Sequence, residues 1–191
     1  MRELILASKS PRRSELLKQI GLNFRILACE VDETPPPGLS PPRLVETLAL
    51  RKATTAAGML SEGIVIGADT VVVLRGLLLD KPSDREDAVR MLMLLQGTVH
   101  EVFTGVALVD AGSRRFLSDH EMTRVFFRPL DVEEIRRYAA TGEPLDKAGA
   151  YGAQGLGACF ISRLEGCYTN VVGLPLAKLV EMLKQFGYKA L

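Results

Sequence analysis

Arg12 and Arg13 directly follow Ser10-Pro11, a pair suited to starting a helix, with serine at the cap and proline in the first helical position. Cations in a first turn oppose the helix dipole, whose positive end lies there. The same turn presents N–H groups that bind anions, and guanidinium forks match phosphate oxygens. The stretch from Ser8 to Arg13 is thus a candidate anion site, against the plainer reading of a solvated basic patch. Glu30-Val31-Asp32-Glu33 gathers three carboxylates at what reads as a strand end, where alternation would put Glu30 and Asp32 on one side. Such oxygens can hold Mg²⁺, although a polar loop edge also accounts for them. Asp69 interrupts the run Ile64-Val65-Ile66-Gly67-Ala68-Asp69-Thr70-Val71-Val72-Val73, which reads as buried on both faces. A carboxylate buried there is costly unless a cation or metal meets it.

Weaker signals come from Lys52 within a helical pattern, Lys81 in Leu79-Asp80-Lys81-Pro82, and Asp146-Lys147 ahead of a glycine-rich loop from Ala148 to Gly157 that contains Gln154. That loop allows close backbone approach to a ligand, but it is neither a P-loop nor a dinucleotide fingerprint. His100 and His120 read as surface residues. With no Gly-x-Ser-x-Gly elbow, a Ser-His-Asp hydrolase is unsupported.

The elements that must position these groups follow from periodicity. Strands are expected over residues 3–7, 23–31, 64–74, 77–79, 101–109, 115–127 and 158–164. Helices are expected over 10–20, 41–59, from a Ser83 cap to Gly97, 131–140 and 175–186. Ser83-x-x-Glu86 matches a capping box, and residues 34–42 read as a loop rather than a linker. Interleaved strands and helices with one strand pair joined by a tight turn argue for an α/β fold with a mixed sheet.

The chain has 191 residues, 47% of them hydrophobic and 25% charged, and a net charge of +1. A duplex-binding protein usually carries a basic surplus, so any basic function here must be local. The three cysteines, Cys29, Cys159 and Cys167, are too scattered for a zinc site or a disulfide framework. They fit a reducing cytosol as small buried residues. The apolar run at residues 4–7 is too short for a signal peptide, and Asp69 and Arg75 interrupt the apolar stretch 63–79, so no membrane span is expected.

Taken in order, Ala7-Ser8-x-Ser10-Pro11-Arg12-Arg13, Glu30-Val31-Asp32-Glu33, Lys52-Ala53, Gly67-Ala68-Asp69-Thr70, Lys81-Pro82, Pro144-Leu145-Asp146-Lys147-Ala148-Gly149-Ala150-Tyr151 and Val172-Gly173-Leu174-Pro175 resemble the motifs of the Maf family of nucleoside triphosphate pyrophosphatases. The resemblance spans nearly the whole chain and implies one Maf-like domain over residues 1–191. It also implies a fold shared with inosine-triphosphate pyrophosphatases, an elongated mixed sheet flanked by helices with a cleft between two lobes. It further implies cleavage between the α- and β-phosphates, a divalent metal (Mg²⁺ or Mn²⁺), a cytoplasmic location and a homodimer, with no nucleic-acid or membrane partner. Its dTTP/UTP type carries Arg, Thr and Gln at three selector positions, matched here by Arg12, Thr70 and Gln154. The sister type, associated with 7-methyl-GTP, carries residues resembling Trp, Gln and Glu. A glutamine offers one acceptor and two donors, enough for a pyrimidine N3–H and a carbonyl.

On that reading Ser8, Arg12 and Arg13 hold the phosphates, and Lys52 and Lys81 meet charge on the departing pyrophosphate. Glu33 and Asp69 coordinate the metal, and Asp69 also serves as general base toward a water. A triphosphate brings about four negative charges, which outweigh an arginine–dipole conflict of roughly 0.3–1 kcal/mol per charge. The competing expectations are the 7-methyl-GTP type and a nucleotide-binding regulator of cell division without turnover.

Overall fold

β-Branched and leucine-rich runs form the strands, and leucine and alanine stripes form the helices that cover them. The computed structural model describes residues 2–34 and 36–190, so Pro35 of the expected loop lies outside the described residues. The element order is β1 (Leu4–Leu6), α1 (Pro11–Gln19), β2 (Phe24–Ile26), α2 (Pro41–Ala57), β3 (Ile64–Leu74), β4 (Leu77–Leu79), α3 (Arg85–Leu95), β5 (Val99–Asp110), β6 (Phe116–Phe127), α4 (Val132–Ala140), β7 (Ile161–Glu165), α5 (Tyr168–Val172) and α6 (Leu176–Gln185). Short 3-10 turns lie at Glu143–Asp146, Ala148–Ala150 and Leu156–Phe160.

The strand order is β2-β1-β3-β5-β6-β7, with β4 beside β3. The sheet is mixed, as expected. β1 runs parallel to β2 and β3, with Leu4 opposite Phe24 and Ile64. β4 is antiparallel to β3 and β7 antiparallel to β6, the latter pair with an irregularity between Phe126 and Phe127.

The chain divides into two compact units. One comprises the chain up to Asp69, Thr104–Glu121 and the chain from Gly173 onward; the other comprises Thr70–Phe103 and Met122–Val172. In the first unit, Ala49, Ala53, Ala56 and Ala57 of α2 pack on Ile5, Val65, Ala107 and Val109 of the strands and on Ala7 just beyond β1. These small residues let α2 lie unusually low. A Cβ on Gly67 of β3 would fall 2.2 Å from the Ala49 carbonyl oxygen, and one on Gly105 of β5 would fall 2.2 Å from that of Val45. Glycine is required at both positions by this close approach, not by backbone angle.

In the second unit, Val72, Leu92, Val125, Ile135 and Phe160 belong to a core that also holds an aromatic cluster. Phe127 meets Tyr151 edge-on at 4.7 Å and His100 at 5.0 Å between ring centroids.

Several expectations need correction. β2 is three residues long rather than nine, and residues 27–34 have no regular structure, so alternation does not align Glu30 with Asp32. The cap of α3 is Asp84, not Ser83. Its carboxylate accepts the Asp87 amide at 2.8 Å, and Asp87 reaches back to the Ser83 amide at 3.1 Å. A carboxylate is a stronger acceptor than a hydroxyl and carries favourable charge at this end. The strand expected from Ala158 begins at Ile161, because residues 156–160 coil into a 3-10 turn. His100 is not a surface residue but 1% exposed. Cys159 is exposed and Cys29 and Cys167 are half-buried, so the cysteines are not core residues, and all three are free thiols.

Candidate functional site

In the first unit the path from β1 into α1 sets the basic residues. Ser10 occupies the cap position, but its side chain makes no capping bond. Ser8, buried two residues beyond the strand, fixes the approach to the helix: its hydroxyl oxygen accepts the Ser10 amide at 3.2 Å. The same oxygen accepts from Arg13 Nη1 at 3.0 Å, and Arg13 Nε donates to the Gly173 carbonyl at 2.8 Å. Arg13 is 9% exposed. Burial pushes its guanidinium below the usual arginine value, Asp69 opposes that shift, Arg12 adds to it, and Glu33 opposes it again. Arg12, Arg13, Asp69 and Glu33 therefore share one electrostatic neighbourhood.

The low position of α2 brings Lys52 to the sheet. Its ammonium lies 2.6 Å from Asp69 Oδ1 and 2.9 Å from Glu33 Oε1. The Lys52 and Asp69 side chains are 13% and 12% exposed, so the cost of burying Asp69 is met by a cation, as the sequence required. The Glu33 side chain is 56% exposed. Of the carboxylates around residue 30, Glu33 is the one brought to this cluster; the Asp32 carboxylate is bound by the Thr34 amide and Glu30 is exposed.

Two carboxylates converging on one ammonium are hard oxygen donors that can also converge on a divalent ion. Glu33 and Asp69 thus fit a magnesium-type site with Lys52 as the neighbouring cation. The ensemble offers hydrogen-bond donors for an anion beside a buried carboxylate able to accept a proton.

The second unit holds the other expected residues. Thr70 follows Asp69 on β3 and is half-buried; Lys81 and Gln154 are exposed. The Asp80 carbonyl before Lys81 accepts the Gly149 amide at 3.2 Å. A Cβ on Gly149, which has φ of 70°, would lie 2.9 Å from Val72 Cγ2. The glycine-rich loop is therefore held both to β3, two residues beyond Thr70, and to the Lys81 segment.

Sequence reading missed three groups. Gly173 anchors Arg13 across 160 positions, with no local signal beyond its place in a motif. Glu143 and Tyr138 organise the loop around Gln154, with Tyr138 Oη donating to Glu143 Oε1 at 2.9 Å. Burial works against ionisation of Glu143, but the amides of Leu156 and Gly157, then Tyr138 and Lys147, hold its carboxyl below the usual range. Glu46, Asp119 and His120 place their ligand atoms within 4.8 Å of one another, a spacing compatible with a cation. Lys178 lies 2.9 Å from Asp119, and both Arg43 and His120 contact Glu46.

The family model described as "Maf-like protein" matches residues 3–186. The chain belongs to the Maf family. Among its curated relatives, a dTTP/UTP pyrophosphatase of Pelotomaculum thermopropionicum is 64% identical over 191 residues, covering 100% of both chains. Another, from Desulforamulus reducens, is 51% identical over 187 residues, covering 98% of each. Among solved structures, the Ham1 protein of Staphylococcus aureus matches with a TM-score of 0.50 at 17% identity, covering 84% of this chain and 80% of that one. That likeness carries the fold alone and agrees with the mixed α/β sheet expected of a Maf protein. No helix among the described residues is long and apolar enough to cross a membrane.

Proposed function

We propose that this Maf-family chain hydrolyses dTTP and UTP to the nucleoside monophosphate and pyrophosphate. The observation that carries the reading is the buried Asp69 carboxylate, bonded to Lys52 at 2.6 Å beside Glu33 and within the electrostatic reach of Arg13. A substrate bringing several negative charges, attacked by a nucleophile that must lose a proton, would use all of these groups. The names of the relatives support the choice of pyrimidine nucleotides.

Arg12, Arg13 and Ser8 grip the triphosphate with charge-assisted bonds. Asp69 takes the proton of a water whose oxygen attacks the α-phosphorus. The bond from that phosphorus to the α–β bridging oxygen breaks, and the electron pair leaves with pyrophosphate. Lys52 holds Asp69 in a fixed orientation, and Lys52 and Lys81 meet the charge gathering on the leaving group. Glu33 and Asp69 would hold Mg²⁺ or Mn²⁺, which supplies charge neutralisation and a more acidic water when bound. Thr70 and Gln154, together with Arg12, select the base. The chain works as one Maf-like domain, in the cytoplasm, as a homodimer.

Pyrophosphate release from a nucleotide panel, with and without Mg²⁺, tests the proposal. dTTP and UTP should lead the panel, 7-methyl-GTP should lag, and Asp69→Asn should lower kcat about 10²–10⁴-fold. Near-normal turnover by that variant with metal present would remove Asp69 from the role of base. Binding without turnover on every nucleotide would favour a regulator.

A further inference from the structure

The loop that carries Gln154 hangs from one carboxylate–phenol pair. Glu143 opens the 3-10 turn Glu143–Asp146, after Gly142 with φ of 79°. Its Oε2 accepts the Leu156 amide at 2.9 Å, and its Oε1 accepts the Gly157 amide at 3.2 Å. Oε1 also accepts the Tyr138 hydroxyl at 2.9 Å, and that hydroxyl oxygen accepts the Gly152 amide at 3.1 Å. Lys147 Nζ donates to the Glu143 carbonyl at 2.6 Å, closing the turn from the other side.

The backbone on both sides of Gln154 is therefore tied to the same two side chains, Gly152 before it and Leu156 and Gly157 after it. The glycines make room for this. A Cβ on Gly155 would lie 2.5 Å from Glu143 Oε1, and one on Gly157 would lie 2.8 Å from the Tyr138 hydroxyl. Amides that donate to a carboxylate bind more strongly than to a neutral acceptor, so the glutamate holds the loop more firmly than glutamine could.

We infer that Glu143, acting with Tyr138, is a positioning residue for base selection: it fixes the loop so that the exposed Gln154 amide meets the base in a single orientation. The inference rests on Gln154 reading the base, as proposed above. The Glu143 carboxylate is taken up by the Tyr138 hydroxyl and the Leu156 and Gly157 amides. Its loss should disturb discrimination between bases more than the chemical step.

The test is a double-mutant cycle read as the ratio of kcat/KM for UTP to that for ATP. Glu143→Gln keeps the size of the side chain but turns one acceptor into a donor facing an amide. It should lower the ratio at least about tenfold, mainly by raising KM for UTP. Tyr138→Phe, a milder change, should lower it about threefold by freeing the Gly152 amide. In a Gln154→Ala background, Glu143→Gln should produce no further fall, because residues acting through one another are not additive. An unchanged ratio in both single variants, or independent losses that multiply in the double variant, would overturn the positioning role and leave a merely structural one. If Gln154→Ala itself leaves the ratio intact, the base-reading assignment fails first and carries this inference with it.

Discussion

At the scale of single residues, two buried groups meet opposite fates. Asp69 has the Lys52 ammonium built against it at 2.6 Å. His100 has no such partner. Its Nε2 pairs with the Tyr151 hydroxyl at 2.8 Å, its Nδ1 has no hydrogen bond among the described residues, and burial pushes its imidazole down to about 3. The unfolded chain takes up a proton here below about pH 6.5, whereas the folded chain refuses it until about pH 3. Above pH 6.5 His100 therefore brings no penalty. As pH falls through the window between those values, stability drops by up to about 1.4 kcal/mol per unit. Denaturant midpoints at pH 7 and pH 5 should differ by about 2 kcal/mol from this residue. His100→Phe should flatten the dependence; a slope as steep as before would show that other groups govern it. A histidine in a strand gives no sequence cue to its burial, since its polarity argues for the surface and only the aromatic neighbours from distant segments reverse that.

At the scale of elements, the helix α2 shows how a site is placed by what is missing. Backbone at Ala49 and Val45 lies so close to Gly67 and Gly105 that no Cβ fits. Gly67→Ala should force α2 outward, costing about 1–3 kcal/mol of stability. Because α2 carries Lys52, kcat should fall along with the melting temperature. A variant that melts lower with unchanged kcat would separate the helix position from catalysis. β3 and β4 were legible to the residue, because a β-branched run and a leucine run flank the Arg75-Gly76 turn. β2 was not, because Ala28 carries on the alternation of Phe24 and Ile26 although the strand stops at Ile26. The α3 cap slipped by one place because Ser83 and Asp84 both qualify, and only the reach of Asp87 decides between them. The Lys52–Asp69 pairing could be expected in kind, since a buried aspartate needs a cation, but the identity of the partner depends on how low the helix sits.

At the scale of the whole molecule, a net charge of +1 leaves no general attraction for polyanions, so affinity for a triphosphate must come from the local cluster. A non-hydrolysable α,β-methylene UTP analogue with Mg²⁺, at about 100 times its Kd, should stabilise the fold by about 2.7 kcal/mol. That corresponds to a rise of about 5–10 °C in Tm. Chelating the metal with EDTA should shrink the shift, and removing one cation of the cluster with Arg13→Met should shrink it as well. An equal shift in that variant would place the triphosphate elsewhere.

The bond from Arg13 to the Gly173 carbonyl spans 160 positions of the chain. During synthesis, the arginine emerges 160 positions ahead of its tether. A growing chain stalled before Gly173 can already carry every other charged member of the cluster, with Ser8 beside the guanidinium but without its carbonyl tether. If Arg13 grips the triphosphate as proposed, fragments that stop short of Gly173 should bind nucleotide poorly.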